Sequence, residues 1–176
     1  MFTFVSGNLA LDLAGTVKAR DTTCDDLLRT PGDLADWLRA AALLDRVAEC
    51  DAATFERAIR LREAAYRLAV ATARGEALPD TDRRLVNEIA KGELPLLTLR
   101  PDGTLRRSGP PATALTAVAR AAIELLGGPA TVKECGRDAC TRLYVDTSRG
   151  GTRRWCDMTI CGNRVKSASF RARHTP

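Results

Sequence analysis

Leu34, Trp37, Leu38 and Ala41 recur at helical spacing directly after Thr30-Pro31-Gly32-Asp33. That tetrapeptide reads as a helix start, with Thr30 as N-cap, Pro31 in the first turn and Asp33 adding negative charge there. A second start at Asp51 opens a long alanine- and arginine-rich stretch predicted to run to about Arg74, with Gly75 as its stop. Phe55, Ile59, Tyr66 and Val70 mark its expected inward side. Pro79-Asp80 opens a shorter helix carrying Leu85 and Ile89. Segments 94–99 and 104–107, joined by Arg100-Pro101-Asp102-Gly103, read as a β-hairpin because Pro-Asp-Gly favours a turn. Pro110-Pro111 then introduces a helix in which Leu115, Val118, Ala119, Ala122, Leu125 and Leu126 form one face, ending at Gly127-Gly128.

Residues 1–16 are less periodic. Leu9, Leu11 and Leu13 suit a strand or short helix packed on the core, whereas Asn8, Asp12 and Thr16 could instead line a ligand pocket together with Trp37. Trp37 also fits the core on its helical spacing. Cys24 and Cys50 have no partner at ligand spacing and read as bystander thiols, and Asp25-Asp26 as surface or cap residues.

The longest unbroken apolar run is the five residues Ala40–Leu44, and about 20 are needed to span a bilayer. No Lys or Arg precedes Lys18 and Asp12 interrupts the early apolar run, so a secretory signal is not expected and the cytoplasm is the expected compartment. The net charge of +5 is unevenly spread. Residues 1–130 hold 17 basic and 18 acidic side chains, whereas residues 131–176 hold 10 and 4. With the Gly127-Gly128-Pro129 break, this predicts a mostly helical domain over 1–128 and a basic module over 129–176.

The basic module also holds four of the six cysteines, as Cys135-x4-Cys140 and Cys156-x4-Cys161 with fifteen residues between the pairs. In a reducing compartment such pairs suit metal better than a disulfide, and four thiolates suit structural zinc. A thiol redox site would use C-x-x-C, an iron–sulfur cluster is a rarer user of four thiolates, and a catalytic zinc would need an open coordination position. Between the pairs, 143–145 and 153–155 read as strands of a hairpin around the turn 146–151, followed after Cys161 by a helix through about Arg173 with Val165, Ala168 and Ala172 on one face. The arrangement is treble-clef-like and the fold class α+β. A module this small has little core beyond Trp155 and Phe170, so it is expected to be disordered without metal.

The run Trp155-Cys156-Asp-Met-Thr-Ile-Cys161-Gly162-Asn163-Arg164, together with the first cysteine pair, Asp146, Ser148 and Arg153-Arg154, resembles the CGNR zinc-finger family over about 131–173. Upstream, Asn8-Leu-Ala-Leu-Asp12 and the segment 28–38 resemble the ABATE domain that commonly precedes this finger. One position departs from that pattern: Gly15-Thr16 stands where the family usually has Asn-Thr. The resemblance implies a bacterial, stress-related transcription regulator with the finger as its DNA-binding part.

Phosphate neutralisation by basic side chains releases counterions, so the +6 module points to DNA as partner in a nucleoid-associated regulator. Arg153, Arg154, Asn163, Arg164, Lys166, Arg171 and Arg173 are the candidate contacts, with Asn163 able either to cap the helix or to reach a base. A small-molecule effector and a homodimer are compatible with the N-terminal domain. The alternative is a zinc-stabilised module that docks on an acidic protein. Enzyme chemistry is not expected: His174 is the one histidine, and neither a phosphate loop nor a nucleophile motif occurs.

Overall fold

The computed structural model describes residues 1–47 and 49–167. Five helices, α1 (Leu9–Ala14), α2 (Pro31–Ala40), α3 (Ala52–Arg74), α4 (Asp80–Ala90) and α5 (Pro111–Gly127), surround one main core. Among the described residues there are three antiparallel pairs of strands: β1 (Val17–Lys18) with β2 (Asp25–Asp26), β3 (Leu96–Leu99) with β4 (Leu105–Ser108), and β5 (Val132–Glu134) with β6 (Leu143–Val145).

The helix ends follow their local chemistry. Thr30 and Asp33 form a reciprocal capping box, the Asp33 N–H donating to Thr30 Oγ1 at 3.1 Å and the Thr30 N–H to Asp33 Oδ2 at 2.9 Å. Asp51 accepts from the Thr54 N–H at 2.7 Å, and Gly75, at φ 68°, turns the chain out of α3 in a left-handed conformation that carries no Cβ clash. The β3–β4 turn closes as expected for Pro-Asp-Gly, with Asp102 accepting from the Thr104 N–H.

The buried side of α3 differs from expectation. Phe55, Ile59, Tyr66 and Val70 are only half-buried, and the enclosed apolar residues are Ala58, Leu61, Ala64, Ala65, Leu68, Ala69 and Ala71. Small side chains let neighbouring elements approach the α3 backbone, so the alanine face is covered most completely. Around it pack α1, α2, α4 and α5, and also β5 and β6. Trp37 is 1% exposed within the main core, where Leu34 and Leu38 flank it.

A second apolar cluster joins Leu11 of α1, Ala69 of α3 and Leu125 of α5 to Val132, Leu143 and Val145 of β5 and β6. The basic quarter therefore shares a core with the helices. Its strand pairing also differs from the sequence reading: β6 pairs with β5, in register Lys133–Tyr144, and residues 153–155 form no strand. The hairpin thus straddles the first cysteine pair instead of linking the two pairs.

Arg62, in the middle of α3, has a side chain only 4% exposed. Its guanidinium forks onto both carboxylate oxygens of Asp26 at 2.7 and 2.8 Å, and its Nε donates to Glu63. Glu63 also receives Arg20, whose guanidinium lies 3.9 Å from the centre of the Tyr66 ring. Asp26, expected as a surface acid, is thereby a strut between the β1–β2 segment and α3. Burial alone would raise the Glu63 carboxyl, but hydrogen bonds and charge from Arg20, then Arg62, hold it below its usual value. Replacing Arg62 with Ala leaves the partly exposed Asp26 without its partner, while Glu63 keeps Arg20, and should lower unfolding stability by about 1.5–3 kcal/mol in denaturant titrations. The Glu63 contribution should be complete above about pH 4.3 and fade as pH falls through the lower folded value.

Candidate metal centre and its surroundings

The four cysteine sulfurs come from three backbone segments. Cys135 follows β5, Cys140 precedes β6 in the same hairpin, and Cys156 and Cys161 flank the start of a π-helical turn, Met158–Gly162, that continues as helix through residue 167. Asp157 caps this turn by accepting from the Ile160 N–H at 2.7 Å. The helix therefore starts ahead of Asn163, which lies exposed within it and caps no N-terminus. The Gly136 N–H donates to the Arg154 carbonyl at 2.8 Å and draws the two cysteine loops together.

All four sulfurs lie within 4.8 Å of one another, with Cys140–Cys156 at 3.8 Å and Cys156–Cys161 at 3.5 Å. A tetrahedron with zinc–sulfur bonds of about 2.3 Å has edges near 3.8 Å, so the donor set fits one zinc ion. Its chemistry fits as well. Hydrogen bonds from the Cys135 and Cys156 thiols push Cys140 far down, while the same contacts, burial and the neighbouring negative charge push Cys156 far up. Four sulfurs this close resist losing more than the first proton unless a cation sits among them. With all four positions filled by thiolate, the bound ion is structural.

Tyr144 backs the cluster, fully enclosed, with its hydroxyl donating to the Arg153 carbonyl at 2.7 Å. Trp155, expected as the miniature core, is half-buried beside the cysteines, and Phe170 lies outside the described residues. Tyr144 was legible only as a strand residue. Lys133 reaches Asp146 at 2.7 Å, and Asp146 accepts from the backbone and hydroxyl of Ser148. These contacts hold the Asp146 carboxyl well below the usual range and fix the loop before the second cysteine pair.

The candidate DNA contacts divide sharply. Arg153 is used internally: its guanidinium donates to the carbonyls of Val5, Val145, Trp155 and Cys156 and stacks 4.5 Å from the centre of the Tyr144 ring. Four carbonyls and one ring thus engage its guanidinium. Arg154 is exposed over Trp155, and Asn163, Arg164 and Lys166 are exposed without ion pairs among the described residues. Arg149, which sequence reasoning passed over, is also exposed. Arg171 and Arg173 lie outside the described residues.

The four residues considered for a ligand pocket are held inside the fold. Asn8 caps α1 and donates to the Ala121 carbonyl of α5. Asp12 accepts from the Ser6 N–H and lies 3.8 Å from Arg142, with burial raising its carboxyl despite both. Thr16 donates to the Leu13 carbonyl, and Trp37 is core. None lines the cleft of about 280 Å3 that opens between β1 and the cysteines, where Lys18, Arg137, Arg142 and Arg164 contribute to the walls.

Arg142 was also missed, because a lone arginine in a basic run carries no local signal. It donates to the carbonyls of Thr3 and Gly15 and the Ser6 hydroxyl, fastening the cysteine hairpin to the N-terminal segment. A Cβ at Gly15 would fall 2.6 Å from its Nη1, so the glycine at the departing position makes room for this arginine.

A helical unit fused to a four-thiolate zinc finger is thus the class that fold and site define. Residues 7–129 match the family model described as ABATE, putative stress-induced transcription regulator, and residues 131–174 match the CGNR zinc finger. The chain belongs to the ABATE family and continues into a CGNR finger that carries one structural zinc. Neither description is that of an enzyme. No curated protein shows significant similarity to the chain. Among the described residues no helix is long and apolar enough to cross a membrane.

Metal removal separates the two supports of this region. Chelation, or Cys161→Ser, should release residues 135–142 and 152–167 to rapid amide exchange while β5 and β6, held by the helical core, stay protected. Hydrogen–deuterium exchange with zinc quantification checks this, in place of the full disorder expected from sequence.

Proposed function

We propose that the protein is an intracellular DNA-binding transcriptional regulator whose finger meets the duplex through exposed basic side chains. The supporting observation is the partition of those side chains: Arg149, Arg154, Arg164 and Lys166 stay exposed after internal contacts have taken Lys133, Arg142 and Arg153. Arg171 and Arg173 extend the same basic sequence, and the exposed Asn163, one position before Arg164, is our candidate for a base-edge contact. The boundary we propose runs between a regulatory unit, 1–128, and the finger, 129–176. No catalytic role is assigned. For an effector, the basic walls of the 280 Å3 cleft suit a small carboxylate or phosphate.

Fluorescence anisotropy on duplex DNA across a salt series tests the reading. Affinity should fall with salt, and Arg154→Ala, Arg164→Ala and Lys166→Ala should each reduce the slope by about 0.9. Arg153→Ala should instead lower thermal stability. A flat salt dependence, with retention on an acidic protein surface, would favour the protein-docking alternative.

A further inference from the structure

The β3–β4 hairpin carries the largest concentration of exposed apolar side chains. Leu94, Leu96, Leu97, Leu99 and Leu105 are between 43% and 76% exposed. Leu97, Leu99 and Leu105 share one face of the hairpin and Leu96 lies on the other, so leucine is exposed on both sides of β3. Isolated surface leucines need no explanation, but five on one hairpin do.

The backbone adds a second, independent demand. Asp45 takes both outward groups of Arg107: its N–H donates to the Arg107 carbonyl at 3.0 Å, and its carboxylate accepts from the Arg107 N–H. The outer edge of β4 is therefore covered there. Because Arg107 faces Leu97, that pair is a non-hydrogen-bonded one, and the N–H and C=O of Leu97 point away from β4. The same alternation holds for Leu99, since the next pair inward, Arg100 with Thr104, is hydrogen-bonded. Among the described residues nothing pairs with this edge. No charge or bulge on β3 protects it, although such devices are usual on exposed edges.

We propose that β3 is the interface with a second copy of this chain, the two β3 strands pairing antiparallel across a two-fold axis to make a four-stranded sheet. The register follows from chemistry. Leu97 opposite Leu99 of the other copy, and the reverse, places all four outward N–H groups and carbonyls in reciprocal hydrogen bonds, with Thr98 on the axis. A shift to Leu97 opposite Leu97 would set Leu99 against Pro95, which has no N–H to give. In the favoured register Leu97, Leu99 and Leu105 of both copies share one face as a continuous band. Arg106 of each copy lies three strand spacings from its counterpart, about 14 Å, beyond effective repulsion at physiological salt. The leucines supply the apolar centre of an interface that needs about 800 Å2 from each partner, with the rest of the hairpin as its rim.

The test uses the full-length zinc-loaded protein. Sedimentation at micromolar concentration should give twice the chain mass, and Leu97→Lys with Leu99→Lys should give the chain mass with unchanged circular dichroism and zinc content. In a Cys24→Ser background, Thr98→Cys should form an intermolecular disulfide under mild oxidation, because a non-hydrogen-bonded pair sets Cα atoms about 4.5 Å apart. Arg106→Cys should stay unlinked. A monomeric wild type, a lysine variant that remains dimeric, or linking at Arg106→Cys without linking at Thr98→Cys would each overturn the proposal. Should the lysine variant fail to fold, wild-type sedimentation and the two cysteine variants still decide.

Discussion

Close approach to the alanine face of α3 is the constraint on which the other elements depend. A helix whose covered side is Ala58, Ala64, Ala65, Ala69 and Ala71, with Leu61 and Leu68 between them, offers little apolar area per residue but a shallow surface. Neighbours must come near its backbone to exclude water, and they do so on several sides: α1, α2, α4 and α5, then the β5–β6 hairpin. Such packing leaves little slack, so a bulky replacement at any of these alanines displaces more than one element. The buried Arg62 sits within the same helix and is tolerable because both ends of its guanidinium are met by carboxylates.

Two different forces hold the metal-binding quarter. The sulfurs organise the loops around zinc, while Val132, Leu143 and Val145 are held by the helices in the manner of any core residue. Arg142 and Arg153 act as polar fasteners across the same seam, one to Thr3, Ser6 and Gly15, the other to Val5. Electrostatics are altered too. Four thiolates around one dication carry a net −2, so the +6 counted over residues 131–176 becomes +4 when zinc is bound. That negative centre belongs to the same module as the exposed arginines and tempers the field they project.

What was legible in the sequence was local. The N-cap at Thr30, the helix start at Asp51, the stop at Gly75, the Pro-Asp-Gly turn and the two cysteine pairs are each written within a few residues, and the structure reproduces them. What was not legible depends on partners distant in sequence. The choice of β5 as partner for β6 is set by a core shared with α1, α3 and α5, a condition no short window contains. Arginine misleads for a related reason. Arg62, Arg142 and Arg153 carry the same side chain as Arg154 and Arg164, and only the carboxylates and carbonyls brought to them by the fold separate internal fasteners from surface charge. Exposed leucines on β3 are the converse case, where the Pro-Asp-Gly turn predicted a hairpin but not which faces the core would leave uncovered.

The shared cluster around Leu11 also constrains the order in which the chain can mature. Leu11 leaves the ribosome well before Leu125, Val132, Leu143 and Val145, which complete its surroundings, and Asp12 beside it meets Arg142. At a synthesis rate of roughly 5–20 residues per second, those later partners emerge about 7–27 s after α1. Throughout that interval α1 has an unfinished surface, and the emerging chain keeps an apolar helix waiting for strands that belong to the zinc finger.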